Sequence, residues 1–140
     1  MRSIILAVIL AVVFAFVCAG CNDDAVDPDQ YLVEYQIGMQ SMAVDAVVDP
    51  AAPLVVRLTG VIGPNTRYDY HRAVISESDS TYEMTLYGLR NDDPNVAHLN
   101  VLVEWQGYPF TKQPPHADRV RFVVHQPGGG VLDETVAVRP

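Results

Sequence analysis

Leu54-Val55-Val56-Arg57-Leu58-Thr59-Gly60-Val61-Ile62 is the stretch that decides the fold. Leu54, Val56, Leu58 and Ile62 fall on one side of a period of two, and Arg57 and Thr59 fall on the other. Successive side chains of a strand point to opposite faces, so this alternation predicts a half-buried strand. The same period extends in both directions. Upstream, Tyr31, Val33, Tyr35 and Ile37 alternate with Leu32, Glu34 and Gln36. Met42, Val44, Ala46 and Val48 follow, up to the break at Asp49-Pro50-Ala51-Ala52-Pro53. Downstream, Gly63-Pro64-Asn65 reads as a turn, because Pro presets φ while Gly and Asn tolerate positive φ.

Strands are predicted next at about 68–76 and at 81–89, the second with Tyr82, Met84 and Leu86 on one face. Asn91-Asp92-Asp93-Pro94-Asn95 is a loop. Leu99, Val101, Val103 and Trp105 then share one face of a further predicted strand, opposite Asn100 and Glu104. A longer loop through Pro109, Pro114 and Pro115 leads to Val120, Phe122 and Val124. Gln126-Pro127-Gly128-Gly129-Gly130 closes a hairpin to a last strand over 131–139. No stretch from residue 31 onward carries a sustained helical period. Short strands bounded by turn signals at such spacing predict a sandwich or barrel. Seven to eight strands in about 110 residues is close to the size of an immunoglobulin-type domain. The expectation is an all-β, Ig-like antiparallel β-sandwich of seven to eight strands over residues 31–140, following a cleaved signal peptide.

Composition fits one domain. The chain has 140 residues, 17 acidic and 9 basic, for a formal charge of −8, and 49% of it is hydrophobic. That apolar share excludes a disordered chain. The acidic balance argues against sequence-independent nucleic-acid binding, which needs clustered cations to displace counterions from phosphates. The charge is uneven, because the first 21 residues contain no acid. Met1-Arg2-Ser3 is followed by an apolar run from Ile4 to Ala19, the layout of a secretory signal peptide. Its 16 residues fall short of the roughly 20 needed to cross a bilayer core.

The run ends in Val17-Cys18-Ala19-Gly20-Cys21, which resembles the lipobox of bacterial lipoprotein precursors. The resemblance covers the signal segment alone. It implies cleavage between Gly20 and Cys21 and attachment of a diacylglyceryl group to the Cys21 sulfur. In this sequence Cys18 stands where that family usually has Leu or another aliphatic residue, and a free Cys behaves as a small hydrophobe. A cut by ordinary signal peptidase around Ala19 is the other reading. Residues 21–30 form an acidic tether, with Asp23, Asp24, Asp27 and Asp29, which like-charge repulsion extends. These aspartates also raise the question of a calcium loop, but the segment lacks the turn-forming Gly of such a loop. Asn22 is not the aspartate that retains lipoproteins at the inner membrane, so in a diderm source the implied address is the outer membrane. The mature chain keeps Cys21 as its one cysteine, so no internal disulfide is available. The domain itself resembles the Ig-like modules of uncharacterised exported bacterial proteins at the level of strand pattern. The Cys…Trp…Cys framework of antibody domains is absent.

Chemistry-bearing motifs are sparse. There is no Gly-x-Ser-x-Gly, and Ser76-Glu77-Ser78-Asp79-Ser80 reads as a solvated turn rather than a nucleophile elbow. The closest histidine pair, His116 and His125, is nine apart, outside usual zinc-ligand spacing. Asp133 and Glu134 are adjacent on a strand and point to opposite faces. Asp92 and Asp93 read as turn residues. The expectation is therefore no enzyme, no cofactor and no metal. A metal or enzymatic site assembled across strands is the alternative from another class. Trp105, Tyr108 and Phe110 form the candidate binding loop, because aromatic side chains offer large contact area at low entropic cost. Loop 106–118 would then serve an unknown protein or glycan partner, as an inhibitor or carbohydrate binder. The bland reading places Trp105, Tyr68 and Tyr70 in the core. Lys112, Arg119, Arg121, His116 and His125 gather in the same stretch of sequence, suited to an anionic partner or simply to a solvated strand face.

Overall fold

The computed structural model describes residues 27–45 and 49–138. The expected signal segment with Gly20 and Cys21, most of the expected tether, Ala46–Val48 and the last two residues lie outside the described residues. Among the described residues, a 3-10 turn at Pro28–Tyr31 is followed by nine strands and no α-helix. They are β1 (Leu32–Gln36), β2 (Met39–Val44), β3 (Leu54–Gly63), β4 (Tyr68–Glu77), β5 (Thr81–Asn91), β6 (Val103–Glu104), β7 (Phe110–Lys112), β8 (Arg119–His125) and β9 (Val131–Ala137).

Two packed sheets form a β-sandwich. In the first, β5 is the long central strand, with β4 along one edge from Tyr68↔Arg90 to Glu77↔Tyr82. Along the other edge β1 pairs with Tyr87–Asn91, and β8 pairs with Thr81–Thr85. The Gln36 amide Nε2 donates to the His125 carbonyl at 2.9 Å where these two strands meet, and β9 closes the sheet beyond β8. In the second sheet β3 is central, flanked by β2 on one edge and by β6 and β7 on the other. The β5–β8 pair is parallel, so the first sheet is mixed rather than wholly antiparallel, and the strands number nine rather than seven or eight.

The apolar faces predicted from alternation meet between the sheets. Leu54, Val56 and Leu58 of β3 pack with Tyr82, Met84 and Leu86 of β5 and with Val120, Phe122 and Val124 of β8. All nine are buried, and burying each such side chain contributes about 1.5–3 kcal/mol. The turn chemistry also follows the residues. Asn65 Oδ1 accepts from the Arg67 N–H at 3.0 Å, and Gly128 and Gly129 take φ of 79° and 89° to close the β8–β9 hairpin.

One predicted strand fails. Leu99, Val101 and Leu102 are 67%, 53% and 64% exposed, and the segment is irregular until the two residues of β6. The physical reason is the partner edge. Val103 pairs with Gly63, the last residue of β3, and the next position is Pro64. A proline has no N–H to offer a ladder, so pairing ends there. Leu99 bonds instead to the turn, its carbonyl accepting from Thr66 N–H at 3.1 Å and its N–H donating to Thr66 Oγ1 at 2.9 Å.

A tyrosine clamp ties the sheets. The Tyr35 hydroxyl on β1 donates to the Ile62 carbonyl on β3 at 2.8 Å, and the Tyr35 and Tyr68 rings meet edge-on at 5.4 Å. Burial, with Tyr68 and Asp69 nearby, pushes the Tyr35 phenol from 10.0 up to about 12. The folded chain therefore holds this proton more tightly than the unfolded chain. The resulting stability is complete below pH 10 and is lost as pH rises through 12. Denaturant melts across that window should show falling stability, and Tyr35→Phe should flatten the slope while costing about 1–2 kcal/mol at neutral pH through the lost hydrogen bond.

Candidate functional site

Trp105 follows β6 and is held by its N–H donating to the Gly60 carbonyl at 2.9 Å. That bond turns the indole inward, where it is 7% exposed. Tyr70 of β4 meets it edge-on at 4.9 Å between ring centres, and Phe110 of β7 stacks on it at 5.9 Å with planes 19° apart. These contacts fill the space between β4 in one sheet and β6 and β7 in the other. The structure thus brings the candidate residues Trp105, Tyr108 and Phe110 together, but gives them different surroundings. Trp105 is buried, Phe110 is half-buried, and Tyr108 stands 69% exposed with its ring edge-on to Trp105 at 6.5 Å. Gly107 takes φ of 75°, which swings the chain outward just before Tyr108.

Trp105 Nε1 is buried without a hydrogen-bond partner among the described residues. A cleft of about 180 Å³ lined by Gln40, Thr59, Gly60, Val61, Glu104 and Trp105 opens beside it. A second, of about 330 Å³, lies between β2 and β9 and is lined by Gln40, Ser41, Met42, Leu132, Asp133 and Glu134. Small-molecule pockets run about 300–1,000 Å³ and bury most of their ligand, so the first cleft is too small for one and the second is at the bottom of the range. What these surfaces offer is contact chemistry: the exposed Tyr108 ring, the Gln40 amide, the Ser41 and Thr59 hydroxyls and the carboxylates of Glu104, Asp133 and Glu134. Phe110→Ala should lower the melting temperature, at a cost of about 2–4 kcal/mol from lost stacking and a cavity. Tyr108→Ala should stay within about 0.5 kcal/mol of the parent, since surface changes away from special features do so. A thermal melt of each variant checks the pair.

The basic residues do not gather. Lys112 lies on the inner face of β7 opposite Leu54 and is 3% exposed, although the sequence places it in a solvated cluster. A long side chain can bury its alkyl stem along apolar surface, which suits Lys112 to a buried position, while Phe110 is the β7 residue packed against the core. Arg121 forks onto Asp133 across β8 and β9 and holds that carboxyl below the usual range. Arg72 does the same to Glu34, at 2.8 and 3.0 Å, with its guanidinium 4.5 Å above the Tyr87 ring. Arg57 pairs with Asp45, and Arg90 with Asp92. Four of the seven basic side chains among the described residues are therefore neutralised by neighbours, and no continuous cationic face results.

The histidines are dispersed as well. His71 lies 4.0 Å from Glu34, His98 accepts from Arg67 Nε at 3.0 Å, and His125 lies 3.4 Å from Glu83. His116 is half-buried rather than solvated, with Nε2 at 3.0 Å from the Ala52 carbonyl and Nδ1 unpartnered among the described residues. Among the described residues no three His, Cys, Asp or Glu side chains group to hold a metal ion. Asp133 and Glu134 do point to opposite faces, Asp133 outward and Glu134 inward opposite Phe122. Ser78 caps the β4–β5 turn, its Oγ accepting from the Thr81 N–H at 3.1 Å. No protein-family model matches the chain, and no curated protein or solved structure matches it either.

Proposed function

We propose that this chain is a lipid-anchored protein of the bacterial cell envelope, whose β-sandwich does non-enzymatic binding or structural work outside the cytoplasm. The observation that carries the reading is Val17-Cys18-Ala19-Gly20-Cys21 at the end of the apolar run Ile4–Ala19. One acyl chain gives only reversible membrane binding, whereas a diacylglyceryl thioether brings two chains to one residue, at about 0.8 kcal/mol per buried methylene. Cys21 then holds the protein without help from the folded part. In a diderm cell the address is the outer membrane, facing the periplasm or the surface.

The reading also accounts for the lone mature cysteine of an exported chain, which otherwise calls for an explanation. Removing residues 1–20 takes one base and no acid, leaving 17 acids against 8 bases. Four of those acids lie in the tether, so the excess negative charge is shared between spacer and domain. Cys21→Ala should leave an unprocessed precursor that takes up no labelled fatty acid. Normal processing of that variant would point to ordinary signal peptidase and remove the anchor. A second reading rests on Tyr108, an aromatic ring held out by Gly107, and makes it the contact point for a protein or glycan partner. Tyr108→Ala should then abolish partner capture from native membranes with the melting temperature unchanged.

A further inference from the structure

We infer that the end of the sandwich bearing Val96, Leu99, Val101 and Leu102 rests on the lipid bilayer to which Cys21 anchors the chain. The inference builds on the lipid-anchor reading and adds an orientation and a contact surface to it.

Four observations meet at this end. The first is the exposure of apolar side chains where the β6 strand fails to extend. Val96, Leu99, Val101 and Leu102 are 41%, 67%, 53% and 64% exposed. Clusters of exposed apolar residues rimmed by polar ones mark surfaces that meet a protein or a membrane. The second is charge. Residues 94–103 contain no Asp, Glu, Lys or Arg, in a chain of which 19% is charged. A segment entering the bilayer interface must carry few ions, because each would lose its hydration.

The third observation fixes this apolar segment to one end of the sandwich. Leu99 bonds to Thr66 through both its N–H and its carbonyl, and the Val96 carbonyl accepts from Arg67 Nη2 at 3.3 Å. Val103 pairs with Gly63, just before the same turn. The fourth is where the tether joins. The Tyr31 carbonyl accepts from the Asp92 N–H at 2.9 Å, and the Asn91 N–H donates to the Arg67 carbonyl at 2.9 Å. The folded domain therefore begins beside the base of the apolar loop and beside the turn that holds it. Residues 21–30 reach at most about 36 Å when fully extended. The tether attaches at this end, so this end meets the lipid without the tether having to run the length of the domain, as it must for the Ser76–Ser80 end. The other ionic groups here are arranged to tolerate that position. Arg90 and Asp92 neutralise each other, Arg67 is engaged by His98, and the Asp93 carboxylate accepts from the Asn95 N–H. A membrane contact accordingly needs no anionic lipid.

The test uses the processed chain, purified from membranes and reconstituted into phosphatidylcholine vesicles containing acyl-brominated phosphatidylcholine. Cys18 leaves with the signal and the Cys21 sulfur is blocked by lipid, so Leu99→Cys or Ser80→Cys supplies one free thiol for an environment-sensitive fluorophore. Ser80 sits at the opposite end of the 11-residue β5, about 33 Å away at 3.3 Å per residue. The expected result is a several-fold larger loss of emission to brominated lipid at position 99 than at position 80, with the reverse order for aqueous iodide. Equal iodide quenching at both positions, on a chain whose mass shows the Cys21 lipid, would overturn the docking and leave the anchor standing. Shielding of position 99 from both quenchers would assign the face to protein, such as a second copy, and also overturn it. A chain with an unmodified Cys21 that stays in the aqueous phase would overturn the anchor and the docking together.

Discussion

Phe122→Ala is expected to leave a protein that barely folds. Phe122 is fully buried at the middle of β8, opposite Tyr82 in the parallel pairing and Glu134 in the antiparallel one, with the Tyr82 ring at 5.8 Å. Deleting such a ring removes its transfer free energy and leaves a cavity, together about 3–5 kcal/mol. Domains of this size hold only about 5–15 kcal/mol in all. The described residues contain no cysteine, so no disulfide within them compensates. The melting temperature should fall by about 12 °C or more, since each kcal/mol shifts it by about 4 °C or more in a domain near 100 residues. Leu99→Ala is the control, a large aliphatic residue from an equally alternating run. It should change stability by no more than about 0.5 kcal/mol. Urea melts of the two variants decide the matter, and comparable losses would contradict the faces assigned to β8 and to the 93–102 segment.

Gly88→Val should be nearly as damaging, for the opposite reason. Gly88 lies on β5 directly between Tyr35 of β1 and Tyr70 of β4. A Cβ built there would stand 2.5 Å from Tyr35 Cζ and hydroxyl and 2.6 Å from the Asp69 backbone oxygen. The ring can yield only by giving up its bond to the Ile62 carbonyl, and the Asp69 backbone cannot yield without disturbing β4. Overpacking of about 1–3 kcal/mol then adds to the cost of an orphaned clamp, for about 3 kcal/mol or more in total. Gly88→Ala should also couple to Tyr35→Ala. With the ring gone, the alanine should cost less than in the parent, and the double variant should be less destabilised than the sum of the two. Strict additivity would show that the tyrosine does not rest on the glycine.

The sequence made the sandwich legible where periodicity and turn chemistry agreed. Residues 54–62 and 81–89 alternate, residues 120–124 place Val120, Phe122 and Val124 inside with Val123 buried as well, and these stretches are bounded by residues whose backbones turn for stated reasons, Asn65 with its side-chain acceptor and Gly128-Gly129 at positive φ. Alternation reports amphipathicity, though, and not the presence of a neighbouring edge. The 99–105 run alternates as well as any other, but its partner strand stops at Pro64, and a pairing limit is written in another part of the chain. Lys112 misled in a similar way. Its charge predicts solvent, yet its position opposite Leu54 places its stem inside. The aromatic loop divided along lines that composition cannot draw, with Trp105 and Phe110 turned into the sandwich and Tyr108 turned out by Gly107. The parallel β5–β8 pairing had no local signal either, because it joins strands separated by two others along the chain. The proposed signal segment and lipobox lie outside the described residues, so that reading rests on sequence alone.

The central claim is therefore a chemical one about a single residue, and mass spectrometry of the protein extracted from cell membranes tests it most directly. The account predicts an N-terminal peptide that begins at Cys21 and carries a diacylglyceryl group on sulfur, with a further acyl group on the amine in a diderm source. An unmodified chain starting at any other residue would contradict it.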